Sequence, residues 1–251
     1  MLDLRKSTTG FVSIVGHRGA LASAPENTLP AFEEGLAQGA NVLELDIHLS
    51  RDRELIVIHD FRVDRTTDGH GYVKDLTLAE LKRLDAGSRF SPAFKDVRIP
   101  LLGEVLEWAR GRVWLAIEIK SDWITYEGID AALVDQLHRS EMVEQVVVIS
   151  FDHCCTKRVK DIDPNIATGI LYNARLVDPI LVARSARADV LRPRWPFASP
   201  GEIRMAHAEG LAYAPWGPND PSIWRQLVEM GADTLSADRP ADLRAILGPR
   251  P

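Results

Sequence analysis

A chain of 251 residues is long enough for one large α/β domain or two small ones. With 45% hydrophobic and 26% charged residues it has the make-up of a soluble globular protein, and its net charge of -6 argues against a nucleic-acid or anionic-membrane partner, since either would want a basic face. Its two cysteines, Cys154 and Cys155, are adjacent, which is neither a disulfide framework nor a zinc spacing. They read as small residues starting a helix. The opening MLDLRKSTTG has charges but no apolar core, the following FVSIV is too short for a signal segment, and no run is as long as a membrane span. The expectation is a reducing, cytoplasmic compartment and no stable membrane anchor.

Phe11 to Val15 is an apolar run ending in Gly16-His17-Arg18-Gly19, a buried strand with a functional loop after it. In Pro25-Glu26-Asn27-Thr28, either Asn27 or Thr28 can cap the next helix, with Pro30 tolerated in its first turn. Leu29, Phe32 and Leu36 recur at helical spacing, and Gly39 ends that helix. The stretch from Asn41 to Asp60 organises the rest. Along a strand, Leu43, Leu45 and Ile47 fall on one face and Glu44, Asp46 and His48 on the other. Two carboxylates on one face of a buried strand need a cation or hydrogen-bond donors to stay ionised.

Only Ser50 to Glu54 separate this strand from the apolar run Leu55–His59, too short a link for a parallel crossover. The two runs therefore form an antiparallel hairpin, which folds His59 back beside Asp46. Residues 61 to 100 break the rhythm, with turn signals at Asp68-Gly69 and Gly71 and a helix near Leu78 to Leu84; they read as an insertion without its own core. Strand-like runs then follow at Val113–Lys120, Gln145–Ser150, Ala167–Tyr172, Asp189–Arg192, Leu211–Trp216 and Thr234–Ser236. Helix-like runs such as Ile129–Arg139 and Pro221–Met230 lie between them. With the first strand and the central one, this is the pattern of a (β/α)8 TIM barrel with a small insertion after the second strand, one domain over residues 1–251. An open doubly wound sheet is the alternative, but no Gly-rich dinucleotide fingerprint favours it.

Active residues of such barrels sit at the C-terminal ends of the strands, and the candidates obey this. His17 and Arg18 end the first strand, Glu44 and Asp46 lie toward the end of the second, and Glu118 and Lys120 share one face of WLAIEIK. Glu44, Asp46 and Glu118 make an oxygen-only set suited to one hard divalent cation, magnesium, calcium or manganese rather than zinc. A structural ion pair such as Glu118 with Lys120 would explain one strand, but not two adjacent strands with the same pattern. His17 and His59 can divide acid and base roles. Arg18 and Lys120 add positive charge for an anion, naturally a phosphate. His48 shares the inward face as a supporting residue. His70, His138, His153 and His207 have no such context.

Together these residues resemble the glycerophosphodiester phosphodiesterase family. The match runs in order through His17-Arg18-Gly19, Pro25-Glu26-Asn27-Thr28, Glu44-x-Asp46, His59-Asp60 and Arg65-Thr66-Thr67-Asp68-Gly69. It continues through Ile99-Pro100-Leu101, Glu118-x-Lys120, Ser150-Phe151, Trp216 and Asp238-Arg239-Pro240. The resemblance implies metal-dependent cleavage of a glycerophosphodiester to glycerol 3-phosphate and an alcohol. It implies Glu44, Asp46 and Glu118 as metal ligands, His17 and His59 as the acid/base pair, and Arg18 and Lys120 as phosphate contacts. It also implies attack by a glycerol hydroxyl and a cyclic phosphate that water opens.

The chain departs from the family at three places. The turn before the second histidine is Ser50-Arg51-Asp52-Arg53, a surface change. The segment Trp216-Gly217-Pro218-Asn219 replaces a Trp-Thr-Val-Asn, so Trp216 survives to pack against the glycerol or the alcohol while the backbone after it changes. Leu191-Arg192-Pro193-Arg194-Trp195 is unusually basic and aromatic: either a solvated loop with a packed tryptophan, or recognition of a bulkier or more anionic alcohol. Competing readings are a lysophospholipase D, a lyase that stops at the cyclic phosphate, and a non-catalytic phosphodiester-binding barrel. The expected partner is a small-molecule diester, and the chain a monomer or homodimer.

Overall fold

The computed structural model describes residues 1–248. Nine strands form: β1 (Ser13–Gly16), β2 (Val42–Leu49), β3 (Leu55–Val57), β4 (Trp114–Ile119), β5 (Val146–Ser150), β6 (Ala167–Tyr172), β7 (Val190–Pro193), β8 (Ala212–Tyr213) and β9 (Thr234–Ala237). Leaving β3 aside, neighbours pair in the order β8-β7-β6-β5-β4-β2-β1-β9, all in parallel. The two ends of that path meet where the Asp233 N–H donates to the Tyr213 carbonyl at 2.9 Å and the Asp233 carboxylate accepts the Tyr213 N–H at 2.7 Å. The result is a nearly closed eight-stranded α/β barrel. β3 pairs antiparallel with β2, Ile47 opposite Val57 and Leu49 opposite Leu55, so the expected hairpin forms.

Alternation along the strands divides core from site. Leu43, Leu45 and Ile47 of β2 pack outward in the layer between sheet and helices. Each is 0% exposed, and each contributes about 1.5–3 kcal/mol of burial. Val42 turns inward and joins Val15, Ala116, Val147, Ala167 and Val190 in the barrel interior. Leu2 and Leu4 pack into that interior cluster as well, a contribution of the N-terminus that the strand pattern does not announce. Farther along the same inward faces the apolar residues give way to the carboxylates and the lysine of the candidate site.

Several elements differ in extent from the expectation. Leu211–Trp216 shortens to Ala212–Tyr213; beyond it the Ala214 and Trp216 N–H groups still donate to the Leu191 and Pro193 carbonyls, and Trp216 forms a bridge to Arg194. Gln145 falls in a short 3-10 turn before β5. The helix near Leu78 runs only to Leu81, opened by Thr77 and Glu80 in a reciprocal capping box. A helix over Leu102–Ala109, not singled out from the sequence, follows the insertion. The insertion packs a small cluster, including Val63, Val73 and Leu81, but shares it with Ile56 and Ile58 of the hairpin arm, so it leans on the barrel. Helices Ile129–Arg139 and Pro221–Met230 form with the bounds expected. Asp152 caps the helix His153–Ile162 by accepting from Cys154 and Cys155 N–H groups, which is the structural role expected for that pair. Among the described residues no helix is long and apolar enough to cross a membrane.

Candidate active site

The loop after β1 is shaped by tight backbone contacts. Gly19 has φ +91°, and a Cβ there would lie 2.5 Å from the Ala31 carbonyl carbon, so only glycine fits. Arg18 and Asn27 also take left-handed backbone, at φ 50° and 57°. These turns aim polar groups at β2. The Arg18 N–H donates to Glu44 Oε2 at 2.9 Å. Asn27 Nδ2 donates to Asp46 Oδ2 at 2.8 Å while its Oδ1 accepts the Asp46 N–H at 3.2 Å. Thr28 is the residue that caps the helix Leu29–Ala37. Asn27, one of two candidate caps in the sequence, instead orients a carboxylate.

One ligand oxygen each from Glu44, Asp46 and Glu118 lies within 4.8 Å of the others, and all three residues are buried. Burial, reinforced by the neighbouring Asp46 charge, pushes the Glu44 carboxyl well above the usual range. Burial would raise Asp46 as well, but Lys120, then His59 and Arg18, outweigh it and hold Asp46 low. Lys120 Nζ donates to Glu118 Oε1 at 2.7 Å and stands 3.5 Å from Asp46 Oδ1. Asp46 Oδ1 is shut off from solvent and still lacks a hydrogen bond. Three buried carboxylates, one with an orphaned oxygen, fit a bound divalent ion. All-oxygen donors favour a hard one.

The two histidines are oriented by carboxylates. His17 Nδ1 donates to Asp238 Oδ1 at 2.7 Å, and Asp238 in turn accepts from Asn219 Nδ2 at 2.8 Å. Burial would depress the His17 pKa, but the Asp238 bond and the Glu44 charge hold it above the ordinary histidine value. His59 Nδ1 donates to Asp60 Oδ1 at 2.7 Å, and its Nε2 lies 3.2 Å from Lys120 Nζ. An ammonium only donates, so this Nε2 accepts and keeps its lone pair. His48 supports from behind: its Nε2 donates to the His59 carbonyl at 2.9 Å and its Nδ1 accepts from the Tyr126 hydroxyl at 2.8 Å. Burial pushes His48 down to about 4, so the ring stays neutral.

A further network ties the loop after β1 to the insertion. Arg18 Nη1 donates to Glu26 Oε1 at 2.8 Å, Arg65 bridges Glu26 and Asp60, and Asp60 holds His59. Burial would raise the Glu26 carboxyl, but Arg65 and Arg18 prevail and hold it below its usual value. Glu26, Arg65, Asp60 and Asp238 stand inside the sequence motifs, which by themselves give no sign of this work.

His17, Arg18, Glu44, Asp46, His59, Glu118, Lys120 and Trp216 all line one cavity of about 270 Å³ at the C-terminal ends of the strands. The metal-ligand, acid/base and phosphate-contact candidates from the sequence are brought together there, with Trp216, while His48 stands behind them. Phe151 stands edge-on to Trp216, ring centroids 5.6 Å apart. Arg192 lines the cavity too, whereas Arg194 is exposed and Trp195 half-buried. A larger groove of about 660 Å³ beside Trp108 contains none of these residues.

Residues 17–242 match the model of the glycerophosphoryl diester phosphodiesterase family. A glycerophosphodiester phosphodiesterase of Caldanaerobacter subterraneus subsp. tengcongensis is 37% identical over 231 residues, 92% of this chain and 95% of that one. The crystal structure of a glycerophosphodiester phosphodiesterase from Agrobacterium tumefaciens superposes with a TM-score of 0.83 at 32% identity, covering 94% of this chain and all of that one. An Oleispira antarctica phosphodiesterase, solved with its product sn-glycerol-3-phosphate, gives a TM-score of 0.87 at 28% identity over 96% and 98% of the two chains. By the extent of these matches and the barrel that carries them, this chain is an enzyme of the glycerophosphoryl diester phosphodiesterase family.

Proposed function

We propose that the chain cleaves glycerophosphodiesters to glycerol 3-phosphate and an alcohol, using a divalent cation and the His17/His59 pair. The observation that carries this reading is the convergence of three buried carboxylates, a lysine and two carboxylate-backed histidines in one cavity. Glu44, Asp46 and Glu118 hold the cation, which supplies positive charge to the phosphoryl oxygens when bound. Arg18 and Lys120 add donors to the same oxygens and fix the phosphorus between the two imidazoles. His59, whose Nε2 lone pair is already an acceptor, takes the proton of the attacking glycerol hydroxyl. His17, whose protonated form Asp238 favours, gives its proton to the departing alcohol oxygen. The P–O bond to the alcohol breaks as the bond from the hydroxyl forms, leaving a cyclic phosphate. Water opens it with the two histidines in reversed roles.

The test is release of glycerol 3-phosphate from glycerophosphocholine by purified protein, after EDTA and again with magnesium, calcium or manganese restored. Metal-restored release is expected. A folded protein that binds a divalent ion but releases nothing from this ester or its ethanolamine analogue would overturn the substrate assignment. Accumulation of cyclic phosphate alone, seen by phosphorus NMR, would make the enzyme a lyase.

A further inference from the structure

Arg192 has no part in the machinery above. β7 turns Val190 and Arg192 inward, and the Arg192 guanidinium lines the cavity that holds His17 and Trp216. The residue is 3% exposed, and its Nε and Nη1 are sealed from solvent without a hydrogen-bond partner. Among the described residues no carboxylate pairs with it; Glu44 and Glu118 reach it only through space. A guanidinium does not shed its charge to escape burial, and a buried cation without a partner is strongly unfavourable. Something that enters the cavity is needed to complete it.

A diester has two arms, and two spaces meet at the site. One is the cavity floored by Arg192. The other is a groove that shares His59, Glu118, Lys120 and Phe151 with it and runs out past Asp60, Asp122 and Asn173. The groove adds the carboxylates Asp60 and Asp122 and no cation beyond the shared His59 and Lys120, whereas Arg192 attracts a negatively charged arm. A hydroxyl would satisfy a donor but leave the charge uncompensated, whereas a carboxylate supplies planar oxygens that match the guanidinium fork. It is also compact enough to share about 270 Å³ with the scissile phosphate.

We propose that Arg192 is the subsite for a carboxylate on the esterified alcohol, so that the favoured substrates are phosphodiesters with a carboxylate charge besides the scissile phosphate. This rests on the phosphodiesterase reading above and adds a head-group class to it. Of the basic and aromatic residues noted in this stretch, Arg192 alone carries the role.

Glycerophosphoserine and glycerophosphoethanolamine differ by one carboxylate and share the ammonium, so they isolate the effect. The wild type should favour the serine ester by about tenfold to a hundredfold in kcat/KM, the range of one charge-assisted hydrogen-bonded contact. Arg192→Gln should bring the ratio close to one, and Arg192→Lys, which keeps charge without the fork, should give an intermediate ratio. Equal kcat/KM in the wild type, or a preference that persists in Arg192→Gln, overturns the proposal. Calorimetric binding of both esters to EDTA-treated protein reads the preference without turnover. Loss of hydrolysis for both esters would therefore refute the phosphodiesterase reading, while the binding ratio still decides on Arg192.

Discussion

Replacing Asp238 with Asn removes a charge from the acid while leaving an oxygen to orient it. Asp238 Oδ1 lies 2.7 Å from His17 Nδ1, and this contact is the largest of those that lift the His17 pKa against burial. Two unit charges about 4 Å apart interact by about 1 kcal/mol in water and about 4 kcal/mol near a protein surface. The side chains are 35% and 30% exposed, so solvent screening favours the lower end, about 1–2 kcal/mol. The assay is kcat/KM for glycerophosphocholine across pH. His17 must be protonated to act as the acid, so activity falls as pH rises through its pKa. Lowering that pKa should move the descending limb to lower pH, with the ascending limb left in place. The stability effect has the same sign. A raised histidine pKa stabilises the fold below the unfolded value of about 6.5 and ceases to do so as pH rises through the folded value, so the variant should lose more stability near pH 5 than near pH 9. A descending limb that does not move would refute the assignment of His17 as the acid.

His17→Ala and His59→Ala should each lower turnover by about 10²–10⁴-fold, the usual scale of general acid–base catalysis, with melting temperatures close to wild type. Near-wild-type turnover in either would remove it from the pair. Glu44→Gln should weaken magnesium, calcium and manganese binding in calorimetry. In the wild type, metal affinity should fall on acidification, because the raised Glu44 pKa lets a proton compete with the ion; unchanged affinity in the variant would remove Glu44 from the ligand set. Asn27→Ala should destabilise the fold by about 1–3 kcal/mol in denaturant unfolding, because it strips partners from both the side chain and the N–H of buried Asp46. It should also weaken metal binding; an effect on stability alone would limit Asn27 to a structural part.

The parts of the site visible in the sequence were those governed by local rules. Period-2 alternation separates Leu43, Leu45 and Ile47 from Glu44, Asp46 and His48 without reference to any other segment, and the structure keeps that division. The five-residue link after β2 permits only a hairpin, and that alone places His59 near Asp46. Asn27 was less legible, because Asn and Thr are both good caps and the choice depends on a left-handed φ and on a carboxylate 19 residues away. The pairing of Asp238 with His17 spans 221 residues and exists only because the first and last strands are neighbours in the closed barrel.

Arg192 shows where alternation stops being informative. Val190 and Arg192 share a face of β7, so a reader who knew that Val190 points inward would also turn Arg192 inward. Nothing in the strand says whether a carboxylate waits on the opposite wall. That depends on the partners of Glu44, Asp46 and Glu118, and these are committed elsewhere: Glu44 accepts from the Arg18 N–H, Asp46 from Asn27, and Glu118 from Lys120. Each carboxylate is engaged by another donor through one oxygen and none pairs with the guanidinium, so Arg192 Nε and Nη1 are left without a hydrogen bond, and their natural partner is brought by the substrate.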